Sequence, residues 1–324
     1  MNPEFPIYIP SYGRWEERPT VKVLERLGVP YNVVVEQEQY DEYAQVIDEE
    51  DLLVVPDWVK EEYDTCDDLG DVKSKGPGPA RNFAWEHAIE QGYDWHWVMD
   101  DNIQGFYWFN QNRYVGVNDG AIFRAMEDFV RRYENVAMAG PRYFMFAVRK
   151  NDYPPFVPNT RVYSCNLIRN DLPYRWRGRY NEDTDLSLRM LKDGWCTIMF
   201  NAFLQDKATT QKYSGGNTER FYDREGTYPK SKMLVDLHPN VAELVIKWGR
   251  WHHQVDYTPF KNNELIKKPD ADIPEGVDNY GMTWPHGQSP RDRPDAANDE
   301  RWRDETSDET LDDQPDEQSD ETPA

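Results

Sequence analysis

The chain has 324 residues, 60 of them acidic and 37 basic, for a formal net charge of −23. The charge is uneven: residues 269–324 carry 18 acids against 4 bases, which leaves 42 acids and 33 bases in residues 1–268. No apolar run approaches the ~18 residues of a membrane span, no basic segment followed by an apolar one opens the chain, and Cys66, Cys165 and Cys196 are too few and too widely spaced for a disulfide framework or a zinc site.

A reducing, cytoplasmic setting is therefore expected. Aromatic residues make up 14% of the chain, with 12 Trp. That excludes a wholly disordered protein and points to a dense core with surfaces for stacking planar or sugar ligands.

In chain order, residues 5–10 read as a short buried strand stopped by Pro10. A helical pattern over 16–27 ends at Gly28. Residues 31–36 are a nearly continuous β-branched run, as in the centre of a parallel sheet, and 52–55 form a third strand. Residues 60–79 read as a loop, 80–91 as a helix stopped by Gly92, and 95–99 as a fourth strand running into Asp100-Asp101-Asn102. This alternation predicts an α/β wound sheet, with ligands beyond the carboxyl ends of the strands. Farther on, 121–133 reads as a helix, 136–139, 143–148 and 161–168 as strands, 182–192 as a helix, 196–200 as a strand and 241–248 as a helix. Residues 1–268 are expected to form one domain. From Pro269 onward the composition is Pro-rich and acidic, and a disordered tail is expected over 269–324.

Four groups of residues carry candidate chemistry. Asp100-Asp101-Asn102 at a strand end offers hard oxygen donors to Mg2+ or Mn2+, with positions left for phosphate; a solvated turn explains the pair equally well. Lys75 to Asn82 is a Gly/Pro loop entering a helix, where backbone N–H groups and Arg81 suit an anion, although any helix start looks similar. Asn181-Glu182-Asp183-Thr184-Asp185 opens a helix and provides either capping acids or a general base. Trp248-Gly249-Arg250-Trp251-His252-His253 sets two imidazoles among indoles, as metal ligands or as packed rings.

Taken in order, the Ile7–Arg14 segment, Glu36, Gly76-Pro77 with Ala80-Arg81-Asn82, Val98 to Asn102, and Glu182-Asp183 with Leu186 to Arg189 and Gly194-Trp195 resemble the GT-A glycosyltransferases, a Rossmann-like wound mixed sheet in a single domain. The closer resemblance is to the phage TET-associated glycosyltransferases. It is carried by Arg161 to Asn166, Arg175 to Leu186, Gly215-Gly216-Asn217-Thr218 and Trp248 to Tyr257. It covers about residues 5–265.

This resemblance implies a metal-dependent transfer of a sugar from a nucleotide-sugar donor, UDP-linked, to the hydroxymethyl group of 5-hydroxymethylcytosine in phage DNA. The enzyme would act after a TET-like oxygenase, in the host cytoplasm, with no membrane involved. Pro10, Tyr12, Arg14, Glu36, Arg81 and Asp100 match positions that hold the donor. Asp101, Asn102 and His253, in preference to His252, match the metal set of Mn2+ or Mg2+. Asp183, with Glu182 beside it, matches the base of inverting members.

The net −9 of residues 1–268 suits DNA poorly. Arg175, Trp176, Arg177 and Arg179, with Arg169, Tyr174 and Tyr180 nearby, form an aromatic-basic stretch expected to grip a strand. Two other readings stay open: the same chemistry on a glycan or an already glycosylated base, and a non-catalytic protein that binds nucleotide sugar or DNA.

Overall fold

Strand β1 (Ile7–Pro10) has Ile7, Tyr8 and Ile9 each no more than 1% exposed. A strand buried on both faces needs cover on both sides, and the flanking helices supply it. The structure is a computed structural model of the chain and describes residues 1–69, 75–110, 112–149, 154–208, 227–247 and 249–271. Pro19–Leu27 (α1) follows β1 and ends at Gly28, whose φ of 64° suits a glycine. Then come β2 (Asn32–Val35), the short α2 (Tyr40–Tyr43), β3 (Leu52–Val54), α3 (Asp57–Glu62), α4 (Gly78–Glu90) and β4 (Trp95–Met99).

The next elements are β5 (Ile103–Asn110), β6 (Arg113–Gly116), α5 (Ala121–Val130), β7 (Val136–Tyr143), β8 (Phe156–Pro158), β9 (Cys165–Arg169), α6 (Glu182–Lys192) and β10 (Cys196–Lys207). The described chain closes with α7 (Tyr228–Leu237), β11 (Ala242–Lys247) and β12 (Arg250–Val255). The fold is mixed α/β. A ten-stranded sheet runs β3-β2-β1-β4-β9-β7-β10-β5-β6, and β8 also pairs with β10. Strands β1 to β4 are mutually parallel, β9 is antiparallel to both β4 and β7, and β10 is parallel to β7. The carboxyl ends of β1, β2, β3, β4, β7 and β10 therefore share one edge of the sheet.

One face packs α1 and α5 against Ile7, Ile9, Trp97 and Phe203. The other seats α4, where Ala84 and Ala88 meet Tyr8, Val34 and Val98. Farther along that face, Leu186 and Met190 of α6 pack with Trp85, Met138 and Ile168. Among the described residues, no helix is long and apolar enough to cross a membrane.

Several elements differ from the sequence expectation. The described part of the expected 241–248 helix, residues 241–247, is not helical. β11 and β12 pair as an antiparallel hairpin, Ala242 opposite Val255 and Lys247 opposite Arg250. Leu244, Val245 and Ile246 favour a pleated strand, and Gly249, at φ 74°, supplies the left-handed turn. The expected strand over 143–148 ends early, because β7 stops at Tyr143 and Phe144–Phe146 make a 3-10 turn. The expected loop over 60–79 is entered by the end of α3 and left by the start of α4. β10 runs well past Phe200, with a register shift between Phe200 and Leu204 that lets it pair with β8 first and β5 afterwards. The segment Gly215 to Thr218, Trp248 and the acidic tail from residue 272 lie outside the described residues.

Gly140 marks the tightest approach in the centre of the sheet. A Cβ there would fall inside contact distance of the Cys165 carbonyl oxygen and the Val162 side chain. Backbone cannot yield as a flexible side chain does, so Gly140→Ala is expected to cost about 1–3 kcal/mol. That corresponds to a fall in melting temperature of at least ~2 °C, read by thermal denaturation.

Candidate active site at the carboxyl edge of the sheet

At the end of β4 the chain turns through Asp100, Asp101 and Asn102. The turn is fixed from α1, where the Thr20 hydroxyl donates to the Asp100 carbonyl at 2.6 Å and accepts the Ile103 N–H at 2.9 Å. The Asp100 carboxylate is shared by two cations. Arg81 Nη2 donates to one oxygen at 2.8 Å and Lys207 Nζ to the other at 2.8 Å. Burial pushes this carboxyl up, but Lys207 and Arg81 outweigh it and hold the group well below the usual carboxylate range.

Arg81 comes from the first turns of α4 and is 3% exposed. Its other nitrogen, Nη1, donates to Glu182 Oε1 at 3.0 Å and to Asp183 Oδ1 at 3.1 Å. The guanidinium lies 4.6 Å from the centroid of the buried Trp176 ring. Burial disfavours the charge, and Asp183, Glu182 and Asp100 more than restore it, so Arg81 stays cationic.

Glu182 and Asp183 occupy the first turn of α6, where the helix dipole favours acids. Asn181 precedes them at φ 55° and donates through Nδ2 to the Lys230 carbonyl at 2.8 Å. Asn166, from β9, donates its amide to the same Asp183 Oδ1 at 3.2 Å. Oδ1 thus accepts from two fixed donors, while Oδ2 carries no hydrogen bond among the described residues. The Asp183 carboxyl is pushed up to about 7, by burial first; Arg81 opposes this and the carboxylates of Glu182 and Asp100 add to it.

Asp101 belongs to a second cluster. It pairs with Arg14 and accepts from the Ser11 hydroxyl at 2.9 Å. Ser11 also meets the Tyr43 hydroxyl at 2.6 Å, and that hydroxyl accepts the Arg14 N–H at 3.1 Å. Burial raises the Asp101 carboxyl above its ordinary value, with Arg14 and Ser11 offsetting part of the effect. The Asn102 side-chain oxygen is buried with no partner among the described residues.

An orphaned amide oxygen beside a carboxylate is a hard-oxygen donor pair. A Mg2+-like ion typically takes one or two carboxylates plus substrate phosphates, so Asp101 and Asn102 fit one. Among the described residues, no three His, Cys, Asp or Glu side chains are grouped to hold a metal by themselves. Any such ion would therefore draw on substrate oxygens or water.

The edge gathers most of the residues that the sequence singled out. Pro10 ends β1, with Tyr12 and Arg14 just beyond it. Glu36 follows β2 and is paired with Lys60 at 3.0 Å. His253 and His252 sit on β12, buried, and no hydrogen bond or ion pair joins either to Asp101 or Asn102.

The aromatic-basic stretch is not an exposed strip. Trp176 is 1% exposed and lies under Arg81. Arg179 has a fully buried side chain and pairs with Asp67 at 2.7 Å. Arg175 pairs with Glu86 and Arg177 with Asp185. Arg175 and Arg179 are neutralised by acids about a hundred positions away, Glu86 and Asp67, and Arg177 by Asp185 in the following helix. Conversely, Lys207, Asn166 and Ser11 were missed. Lys207 ends a strand 107 positions beyond its partner Asp100. Asn166 and Ser11 lie inside segments that carry the resemblance, yet no neighbouring residue in sequence marks either as reaching Asp183 or Asp101.

A family model described as TET-Associated Glycosyltransferase matches residues 5–216, about two thirds of the chain. The chain belongs to that family and is a glycosyltransferase of the kind its name describes. No curated relative matches the chain.

The raised Asp183 carboxyl has a consequence for stability. Its folded pKa lies above the ~3.9 of an unfolded aspartate, so ionising it costs folding free energy as pH rises from about 4 to about 7. Asp183→Asn removes that cost and keeps an oxygen for Arg81 and Asn166. The variant is expected to gain melting temperature over the parent at pH 8 and not at pH 4, by calorimetry at both values.

Proposed function

We propose that this TET-associated glycosyltransferase transfers a sugar from a UDP-sugar to the hydroxymethyl oxygen of 5-hydroxymethylcytosine in DNA, on a GT-A type scaffold, with Asp183 as general base. The observation that carries this reading is the asymmetry of the Asp183 carboxylate: one oxygen is tied by Arg81 and Asn166, the other is open, and the proton affinity is near neutral. A base works best when its pKa lies near the working pH and its lone pair is aimed.

In this reading the acceptor hydroxyl oxygen attacks the anomeric carbon and its proton passes to Asp183 Oδ2. The bond between that carbon and the phosphate oxygen breaks, and its electrons leave with the nucleoside diphosphate. Arg81, Lys207 and Arg14 surround the edge where that negative charge develops and favour it over the ground state. Pro10, Tyr12 and Glu36, at the ends of β1 and β2, are assigned to the nucleoside. Asp101 and Asn102 would hold Mg2+ or Mn2+, which when bound offsets charge on the diphosphate. The sequence expectations of a phage-encoded protein and of a TET-like oxygenase that supplies the hydroxymethyl group belong to the same proposal.

The test is mass spectrometry of nucleosides from 5-hydroxymethylcytosine DNA incubated with UDP-sugars and Mg2+ or Mn2+. A pentose- or hexose-sized gain is expected, reduced about 10²–10⁴-fold by Asp183→Asn. Donor hydrolysis without any gain on DNA would refute the acceptor. The kcat/KM of transfer is expected to rise as pH passes upward through about 7, because Asp183 must be ionised to accept the proton. A flat profile from pH 5 to 8 would refute the base.

A further inference from the structure

The chain carries 60 acidic residues, yet residues 103–118 and 135–151 contain none. The fold brings these two acid-free stretches together. The first supplies β5 and β6, at the edge of the large sheet, and the second supplies β7 and the 3-10 turn Phe144–Phe146. Their aromatic rings form a continuous cluster. Phe144 lies with ring centroids 4.8 Å from Tyr107 and 4.5 Å from Tyr114, and Phe109 stacks on Tyr114 at 5.2 Å, tilted 27°. All four are half-buried, so each keeps part of its surface in solvent.

Two exposed cations frame the rings. The Arg149 guanidinium lies 4.5 Å from the Tyr114 centroid, and Arg113 opens β6. Neither has a carboxylate partner among the described residues, unlike Arg175, Arg177 and Arg179. The cluster also borders the active site. The Tyr143 hydroxyl, just before Phe144, donates to the Lys207 carbonyl at 2.9 Å, and the Lys207 ammonium holds Asp100.

Aromatic faces with unneutralised arginines, next to a transfer site, are what a single nucleic-acid strand recognises: bases stack on the rings and phosphates pair with the cations. We infer that this face of β5, β6 and the Phe144–Phe146 turn is the surface on which the acceptor strand lies, in place of the 175–179 stretch. This rests on the DNA-acceptor reading above. It also reconciles an acidic protein with a polyanionic substrate, since repulsion from the acidic remainder of the surface would favour the face that these two acid-free stretches supply.

The experiment is fluorescence anisotropy with a labelled single-stranded oligonucleotide bearing 5-hydroxymethylcytosine, titrated from 50 to 200 mM salt. The variant R113Q/R149Q is compared with R26Q/K267Q. The latter changes the net charge equally but lies outside both acid-free stretches, at the end of α1 and beside Tyr133. R113Q/R149Q is expected to bind at least ~10-fold more weakly at 50 mM salt, with the slope of log K against log salt smaller by about two. R26Q/K267Q is expected to match the parent, and melting temperatures check that both variants are folded.

Unchanged affinity and slope in R113Q/R149Q, with the parent still glycosylating DNA, would overturn the surface and leave the function standing. Equal losses in both variants would also overturn it, as a general charge effect. A parent that neither binds nor glycosylates DNA would refute the acceptor reading, and this inference with it.

Discussion

A buried guanidinium cannot shed its proton, so it must be surrounded by acceptors or expelled. Arg81 is surrounded. It ties the end of β4 to the start of α6 through Asp100, Glu182 and Asp183, and it rests on Trp176. These three carboxylates would repel one another in a low-dielectric pocket without it. Their geometry exists because one planar cation donates in several directions at once, which an ammonium does not reproduce. Gly78, at the start of α4, lets that helix approach Tyr63, since a side chain there would collide with the tyrosine ring. Tyr63 in turn donates to the Gly178 carbonyl at 2.8 Å and so anchors the segment that carries Trp176.

The same pocket separates two carboxyls of similar chemistry. Asp100 faces Lys207 and Arg81 with both oxygens and stays ionised far into acid. Asp183 is raised first by burial; it shares only one oxygen with cationic or amide donors and sits among like charges, so its carboxyl is pushed up to about 7. Opposite shifts in neighbouring carboxyls suit them to different tasks, and in the proposed mechanism Asp100 acts electrostatically while Asp183 takes a proton. The arrangement costs stability, because a half-buried carboxylate with an unused oxygen is incompletely solvated. Beneath it, Asp185 is fully paired with Arg177, Arg189 and His238, which makes α6 a rigid base for the first turn.

Local signals in the sequence carried the first half of the fold well. The β-branched run at Asn32–Val35, the Gly28 stop and the acids after Trp95–Met99 are decided by near neighbours, and the structure places them as expected. The hairpin at β11 and β12 was not legible in the same way. Val241 to Ile246 is apolar enough for either period, and the choice rests on the partner strand. The site shows the same division. Asp100, Asp101, Arg81 and Asp183 stand in recognisable local contexts, whereas Lys207 reaches Asp100 only through the length of β10. The stretch around Arg175 reads as uniformly cationic in the sequence, but the structure pairs its charges with Glu86, Asp185 and Asp67, two of them about a hundred positions away. A linear sequence shows cations but not their partners.

The fold holds the Asp183 carboxyl where burial and neighbouring carboxylates push it up to about 7. The most direct measurement is a pH titration of the aspartate carboxyl carbons by NMR in protein labelled at that carbon, with the resonance assigned by its loss in Asp183→Asn. A carboxyl that titrates near pH 7, well above an ordinary aspartate, is expected. An Asp183 resonance that titrates near pH 4 would contradict it.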